Sequence, residues 1–462
     1  MSAAAPTATA AATGTNPAIS FCHQRGGRFE ALAPASGGLV GVCRFADGTV
    51  CEQAAFYQGE CQPGQSADLP PVSTTSSEAY APLVALFTTI RTRVPANAFD
   101  YLAAQPLETD DDRQLWMVYS FGARNTDHEP LLPHFLAIYS YTQGYWQERA
   151  QTALGQSLPQ ENVNLEPDSV GTVRQVIIAP GRIWIQIEGS VGAHGGSYHL
   201  FSFDGQRLRA EVIASSPSPG VGRIEDLNGD GINDVVLDRS DPYVFCYACG
   251  VYRPFYEAYT WQAPAQRLIR LAIADLTDEY QTASFAELNR QAVALAEASL
   301  WDEAARAIDQ AVAQAGDADP PTTAGSLRWN QRLIALNRAG HLEAIKTSAY
   351  PLISYIFYGD YTSAVNQMRP YAPADIFSVR SPLIVGTVAE DWIPQLGEII
   401  QQYTERALAV APNRADIAFV QAWGRFLVDP RDPAIGADLE RAHRLQPHDP
   451  LFAAAAQAWG AR

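Results

Sequence analysis

An acidic loop, Asp-Leu-Asn-Gly-Asp-Gly-Ile-Asn-Asp, runs from Asp226 to Asp234 and precedes the apolar residues 235–237. Oxygen-bearing side chains recur along the loop, a glycine stands at its bend, and Ca²⁺ binds through several oxygen ligands. The loop therefore predicts a Ca²⁺ site. The predicted ligands are Asp226, Asn228, Asp230, the backbone carbonyl of Ile232, and Asp234. The alternative is an Asn/Asp/Gly-rich turn that binds no metal.

The length and charge of the chain argue against several classes of protein. Its 462 residues are too many for one hydrophobic core, so we expect several domains. A formal charge of −18 argues against nucleic-acid binding, because phosphate groups are bound by basic surfaces. No apolar run approaches the roughly 20 residues that span a bilayer, so we expect no transmembrane segment.

The N-terminus carries no secretory signal pattern, which leaves two interpretations. Either the chain is cytosolic, or it is a mature exported chain whose signal was removed and replaced by Met. The cysteines favour export, because disulfide bonds form in oxidising compartments. We therefore expect an extracytoplasmic protein, located at the cell surface, in the periplasm or in the medium.

Residues 16–63 are rich in cysteine, in glycine and in turn signals such as Asp47-Gly48. This composition predicts a small module with two disulfide bonds, each contributing roughly 2–4 kcal/mol, in a connectivity that the sequence leaves open. A zinc site is the competing interpretation, but the segment lacks a Cys-x-x-Cys pair. The candidate cysteines are Cys22, Cys43, Cys51 and Cys61.

This module carries a specific pattern: Asn-Pro-Ala at 16–18, Gly-Gly at 26–27, Gly-x-Cys-x-Phe-x-Asp-Gly at 41–48, and Ala-Phe-x-x-Gly-Glu-Cys at 55–61. The pattern resembles a small bacterial cysteine-rich domain of unknown function to which the name hemolysin is attached. The resemblance covers about a tenth of the chain. It implies an exported or surface lipoprotein and transfers no activity.

Low-complexity segments flank the module on both sides. Residues 1–15 are rich in Ala, Thr and Pro and predict a flexible tether, of the kind that follows the lipid-bearing cysteine of a bacterial lipoprotein. A lipid anchor at the N-terminus is therefore an expectation, and a plain disordered tail is the alternative. Residues 64–78 are a Pro/Ser/Thr-rich linker.

Residues 79–275 predict a β-rich domain with an N-terminal helix. The helix would cover residues 79–104 and break near Pro95. Its apolar face would consist of Leu83, Leu86, Phe87 and Ile90. From about residue 108, alternating aromatic and β-branched residues predict strands.

A weak repeat runs through this β-rich region. Similar hairpins occur around Tyr139, Phe201 and Tyr259, at intervals of about 60 residues. Each hairpin follows an earlier predicted strand. These strands are Leu115–Phe121, Arg182–Glu188 and Asp234–Asp238. Repeated strand meanders predict propeller-like blades, or an open or sandwich-like arrangement, since three blades are too few to close a ring.

The acidic loop stands just before Asp234–Asp238, the predicted strand that precedes the third hairpin. Its pattern Asp-x-Asn-x-Asp-Gly-x-x-Asp resembles the calcium loop of FG-GAP or integrin-propeller repeats over about twelve residues. The resemblance implies Ca²⁺ as the ligand of the five positions named above. An EF-hand is disfavoured, because Leu237 stands where that motif has a bidentate Glu.

Two smaller motifs lie near the loop in sequence. Cys246-Tyr-Ala-Cys249 predicts a local disulfide bond, with free thiols or a redox function as alternatives. His194 and His199 flank a glycine-rich turn. They predict a polar loop that leads into a strand, in preference to a metal site.

Residues 280–462 are alanine-rich and predict an all-α domain. A small residue followed by a terminating proline occurs at Ala407 and Pro412 and again 35 residues later at Ala442 and Pro447. This spacing resembles tetratricopeptide repeats, which implies a concave surface that binds proteins. Prolines interrupt the period between about 366 and 396. A plain helical bundle is the alternative.

The predicted fold class is therefore multi-domain: a small disulfide module, an all-β repeat domain that is propeller-like or a sandwich, and an all-α helical-repeat domain. We find no nucleophile, phosphate-loop or zinc-protease motif and predict that the protein is not an enzyme. The predicted function is an extracytoplasmic, surface-tethered scaffold with a structural Ca²⁺ that binds a protein partner through its helical repeats. The alternatives are a toxin-like or protease-inhibitor effector acting through residues 16–61, and a hydrolase with a site in the β domain.

Overall fold

The chain forms two compact units, Met1–Gly220 and Val221–Arg462. The tether 1–15 and nearly all of the linker 64–78 lie outside the described residues. The computed structural model describes residues 21–22, 24–32, 40–45, 49–59, 61–64, 85–86, 89–90, 92–95, 98–109, 113–127, 131–155, 165–276, 283–316 and 326–461.

The first unit contains the cysteine module, a three-stranded antiparallel sheet followed by a short helix. These elements are β1 (Arg28–Leu32), β2 (Val40–Arg44), β3 (Val50–Glu52) and α1 (Gln53–Gln58). The predicted disulfide bonds are confirmed, and their connectivity is Cys22–Cys43 and Cys51–Cys61. Both bonds lie in a core with only a few aromatic rings, among them Phe45 and Phe56. Since so small a core buries little apolar surface, the cross-links supply much of its stability.

The rest of the first unit is a curled antiparallel sheet of eight strands in two four-stranded meanders. The first meander is β4 (Phe99–Leu107), β5 (Leu115–Arg124), β6 (Phe135–Thr142) and β7 (Tyr145–Ala153). The second is β8 (Ser169–Val176), β9 (Ile183–Val191), β10 (Gly195–Phe203) and β11 (Leu208–Ser216). The meanders join where the end of β5 pairs with the start of β8, at Gly122 and Val170.

Strand periodicity explains how the two meanders pack. Leu115, Met117 and Tyr119 of β5 belong to one core, together with the alternate residues of β9 from Ile183 to Ile187. Val118 belongs to a second core on the opposite face of β5. Because successive side chains of a strand point to opposite faces, β5 contributes to both cores.

The helix predicted over residues 79–104 is wrong in its last part. β4 begins at Phe99 and pairs with β5 along nearly its full length. This pairing supplies backbone hydrogen bonds and apolar contacts that outweigh a local helical pattern. Leu86 and Ile90 are buried in helical positions, as predicted. Leu83 and Phe87 lie outside the described residues.

The second unit begins with a third four-stranded meander. Its strands are β12 (Gly222–Glu225), β13 (Asp234–Asp238), β14 (Tyr256–Gln262) and β15 (Arg267–Leu271). Val236 and Ala258 pack against Trp329 and Leu333, which belong to a helix of the same unit. The boundary between the units therefore falls inside the range predicted as one β-rich domain, because this sheet buries its apolar face on helices.

The remainder of the second unit is helical, as predicted. The helices are α2 (Ala286–Glu297), α3 (Trp301–Ala315), α4 (Leu327–Thr347), α5 (Pro351–Tyr358), α6 (Tyr361–Met368), α7 (Pro373–Ile376), α8 (Ile393–Val410), α9 (Ala415–Val428), α10 (Ala434–Leu445) and α11 (Pro450–Gly460). A close crossing joins α8 to α9, where a Cβ atom on Gly424 would lie 2.6 Å from Ile400 Cγ2. Within the described ranges, no helix is long and apolar enough to cross a membrane.

The multi-domain fold class is confirmed in this coarse form. A cysteine module, a curled antiparallel sheet and a helical region are all present. The three predicted hairpins are the third and fourth strands of the three meanders. The propeller-like and tetratricopeptide interpretations stay predictions.

Candidate metal centre and the neighbouring disulfide loop

The acidic loop connects β12 to β13 in the second unit. Glu225 and Asp234 pair across the two strands, so the eight residues between them form the end of a hairpin. Gly229 and Gly231 have φ angles of 77° and 83°. Glycine is favoured at both positions because other residues seldom adopt this left-handed conformation.

The first carboxylate of the loop fixes its shape. Asp226 Oδ1 accepts hydrogen bonds from the amides of Gly229 at 2.7 Å and Asp230 at 3.2 Å, and Oδ2 accepts one from Gly231 at 2.9 Å. Asp230 Oδ1 accepts from the Ile232 amide at 2.8 Å, and its Oδ2 accepts from Asn228 Nδ2 at 2.9 Å. The loop's own amides therefore orient most of the predicted ligand oxygens.

Asp234 differs from these residues because it is buried, with 1% of its surface exposed. Its Oδ2 accepts a hydrogen bond from the Leu227 amide at 3.0 Å, whereas its Oδ1 has no hydrogen-bond partner among the residues that the structure describes. The pKa of Asp234 is raised to about 6, mainly by burial and in smaller part by the negative charges of Asp230 and Asp226, while the Leu227 amide and the nearby Thr260 hydroxyl oppose the rise. A buried carboxylate oxygen without a donor is costly.

The donor set of the loop fits Ca²⁺, which prefers carboxylate, amide and carbonyl oxygens. The structure brings Asp226, Asn228, Asp230 and Asp234 into one loop, close enough for three of the carboxylates to influence one another. The Ile232 carbonyl lies in the same loop. Across the described part of the chain, no group of three or more His, Cys, Asp or Glu side chains is arranged to hold a metal. Ligation of an ion therefore stays a prediction, and it requires carboxylates to turn from the amides they now accept from.

β13 leads from the acidic loop into a second loop, residues 239–255, here called the disulfide loop. Its predicted Cys246–Cys249 bond is confirmed. Asp241 and Arg253 exchange two backbone hydrogen bonds of 3.0 Å, and their side chains form an ion pair of 2.9 Å. All six cysteines are therefore in disulfide bonds, which indicates an extracytoplasmic location.

The disulfide loop exposes large aromatic side chains. Tyr243, Phe255 and Tyr252 are 57%, 46% and 39% exposed, and the ring of Tyr247 lies 5.5 Å from that of Tyr243. Val244, Phe245 and Val251 lie between them in sequence and belong to the core that the loop shares with the helices. Sequence reasoning missed this surface. The signal was available in the five aromatic residues between 243 and 255.

The two histidines of the glycine-rich turn do not form a joint site. His194 is exposed in the turn, whereas His199 is fully buried on β10. Burial lowers the pKa of His199 to about 4. The expectation of a polar loop that leads into a strand agrees with this placement.

A family model described as "Domain of unknown function (DUF333)" matches residues 13–60. This match and the two disulfide bonds agree on a small cysteine-rich module. No curated protein matches the chain.

Proposed function

We propose that the protein is an extracytoplasmic, surface-tethered scaffold that carries a structural Ca²⁺ in its acidic loop and binds a protein partner through residues 280–462. The propeller-like relation of the three meanders and the tetratricopeptide relation of the helices belong to this proposal. Its support comes from the disulfide bonds, from the buried Asp234 and from apolar side chains exposed on the helical unit.

In this proposal Asp226, Asn228, Asp230, Asp234 and the Ile232 carbonyl hold the ion. The ion would supply positive charge beside Asp234 Oδ1, the oxygen without a hydrogen-bond donor among the described residues. It would also hold the hairpin end between β12 and β13. Binding at a hundredfold excess over the dissociation constant would stabilise the folded chain by about 2.7 kcal/mol.

The observation that carries the docking proposal is the segment 371–385, here called the irregular segment. It lies in the region where prolines interrupt the predicted repeat, and it exposes Tyr371, Val379 and Val385 by 36%, 76% and 47%. Phe377 anchors the same segment, since its ring lies 5.8 Å from that of Phe419 and 5.7 Å from that of Trp459. A contiguous patch of exposed apolar side chains is typical of protein-binding surfaces, and we propose that these three side chains form one.

The test uses the full chain, because removal of residues 280–462 would uncover the sheet face that packs on α4. A triple variant, Tyr371→Ser with Val379→Ser and Val385→Ser, is compared with a control variant, Val410→Ser with Val428→Ser. The control valines are 38% and 44% exposed. Both variants are used to cross-link and capture partners from the native cell envelope. We expect the partners to be lost with the triple variant and retained with the control; equal capture by both would contradict docking at this segment.

A further inference from the structure

We propose that the disulfide loop, residues 239–255, docks an uncharged, proline-rich, extended segment of a partner protein. The inference rests on the proposed protein-binding function. It adds a second docking surface to the second unit and names the chemistry that this surface recognises.

The disulfide loop exposes a large apolar area. Tyr243, Tyr252 and Phe255 each leave more than a third of their surface in solvent, and Tyr243 also stands against the Tyr247 ring. Tyrosine offers a large apolar contact with few rotatable bonds, so it is enriched where proteins make energetically important contacts.

The backbone of the loop is held in place before any partner binds. Beyond the disulfide bond and the Asp241–Arg253 bridge, the Val244 carbonyl accepts a hydrogen bond of 2.6 Å from Gln395 Nε2. The Gly250 carbonyl accepts one of 2.9 Å from the Ala349 amide. A surface that is already ordered loses little conformational entropy on binding.

The charged residues of the loop are already paired, Asp241 with Arg253 and Arg239 with Glu257 of β14. Asp241 Oδ1 accepts from the Tyr243 amide at 2.8 Å, and Oδ2 accepts from Arg253 Nη2 at 2.9 Å. Arg253 also hydrogen-bonds Tyr403. In contrast, the hydroxyl groups of Tyr243 and Tyr252 have no hydrogen-bond partner in the described part of the chain. The loop therefore offers a partner aromatic faces and phenolic donors, with its charges already neutralised.

A proline-rich segment complements this set of groups. Its rings are apolar, its carbonyls accept hydrogen bonds, and proline has no N–H that would need an acceptor. The polyproline II conformation also exists before binding and is recognised by aromatic surfaces in other domains. A polysaccharide is disfavoured, because its many hydroxyls need several polar partners, whereas the exposed side chains of the loop named above are aromatic.

The test is calorimetric titration of the full chain with a decaproline peptide. We expect binding that is at least tenfold weaker in Tyr243→Ala and in Tyr252→Ala, and unchanged in Tyr145→Ala. Tyr145 is the matched control, since it is 55% exposed but lies on β7. We also expect the dissociation constant to change less than about twofold between low and high salt, because screening acts on charges and none is needed here. Unchanged thermal midpoints show that the variants are folded.

Three outcomes would overturn the inference: no binding of decaproline, equal binding by all variants, or tighter binding of cellohexaose than of decaproline with the same dependence on Tyr243. The capture experiment tests different residues, those of the irregular segment. Failure of decaproline together with capture that depends on the irregular segment would remove the inference and leave the proposed function standing. Absence of decaproline binding together with equal capture by both variants would contradict both the inference and the proposed function.

Discussion

Two acidic stretches of the molecule differ in the charges that surround them. In the first unit, Glu166 and Asp168 precede β8 and both form ion pairs with Arg124, whose side chain is 10% exposed. In the second unit, the charges that act on the buried Asp234 are those of Asp230 and Asp226, both negative. The first stretch is paired with a cation of the chain itself, whereas the charges named around Asp234 are negative.

The two stretches should also respond to pH in opposite directions. Near the first, His134 and His199 are buried, and burial lowers the pKa of each to about 4. The unfolded chain takes up these protons first, near pH 6.5, so the stability of the first unit falls as the pH drops from there towards about 4. In the second stretch the pKa of Asp234 is raised, so protonation of Asp234 stabilises the folded state.

The largest expected effect is the loss of stability of the first unit in acid, caused by its two buried histidines. A pKa shift of this size corresponds to about 3 kcal/mol for each histidine at pH 4. We expect the thermal midpoint of the first unit to fall steeply between pH 6.5 and 4, and His199→Phe to flatten that dependence. Calorimetry at a series of pH values measures both. The same slope in the variant would mean that His199 does not set this acid sensitivity.

A smaller effect is expected when the cation that pairs with the first stretch is removed. Arg124→Ala leaves Glu166 and Asp168 without their partner, and we expect a loss of about 2–3 kcal/mol of unfolding free energy, because the guanidinium is largely buried. Arg223→Ala is the control. Its ion pair with Glu225 is 52% and 42% exposed and should contribute little. Urea denaturation compares the two; equal small losses would show that Arg124 does not hold the first stretch.

The sequence predicted what depends on neighbours along the chain. β13 spans Asp234–Asp238 as expected, and the Cys246–Cys249 bond joins residues close in sequence. It did not predict what depends on distant partners. The local pattern predicts helix for residues 99–104, because the pairing of β4 with β5 is not visible in that pattern. The pairing of Arg124 with Glu166, across 42 residues, is equally non-local.

The candidate site was predictable in its residues but not in its burial. The spacing of Asp226, Asn228 and Asp230 indicated a calcium loop, whereas the burial of Asp234 depends on how its strand packs in the sheet. The aromatic side chains of the disulfide loop illustrate the same limit. Tyr243 and Phe245 look alike in sequence, yet one is exposed and the other joins the helical core.

Binding of a stabilising Ca²⁺ by the acidic loop is tested most directly by the thermal midpoint of the second unit. The midpoint is measured at pH 7 with Ca²⁺ and with chelator, for the native chain and for Asp234→Asn. Ca²⁺ at a hundredfold excess should stabilise the native chain by about 2.7 kcal/mol and the variant by much less. In chelator, the variant should gain on the native chain as the pH rises through about 6, because the raised pKa means that stability is lost as Asp234 ionises. His341 is buried in the same unit with its pKa lowered to about 3, but it is common to both proteins and cancels in the comparison. Equal midpoints with Ca²⁺ and with chelator would contradict the account and leave the acidic loop an ordinary turn.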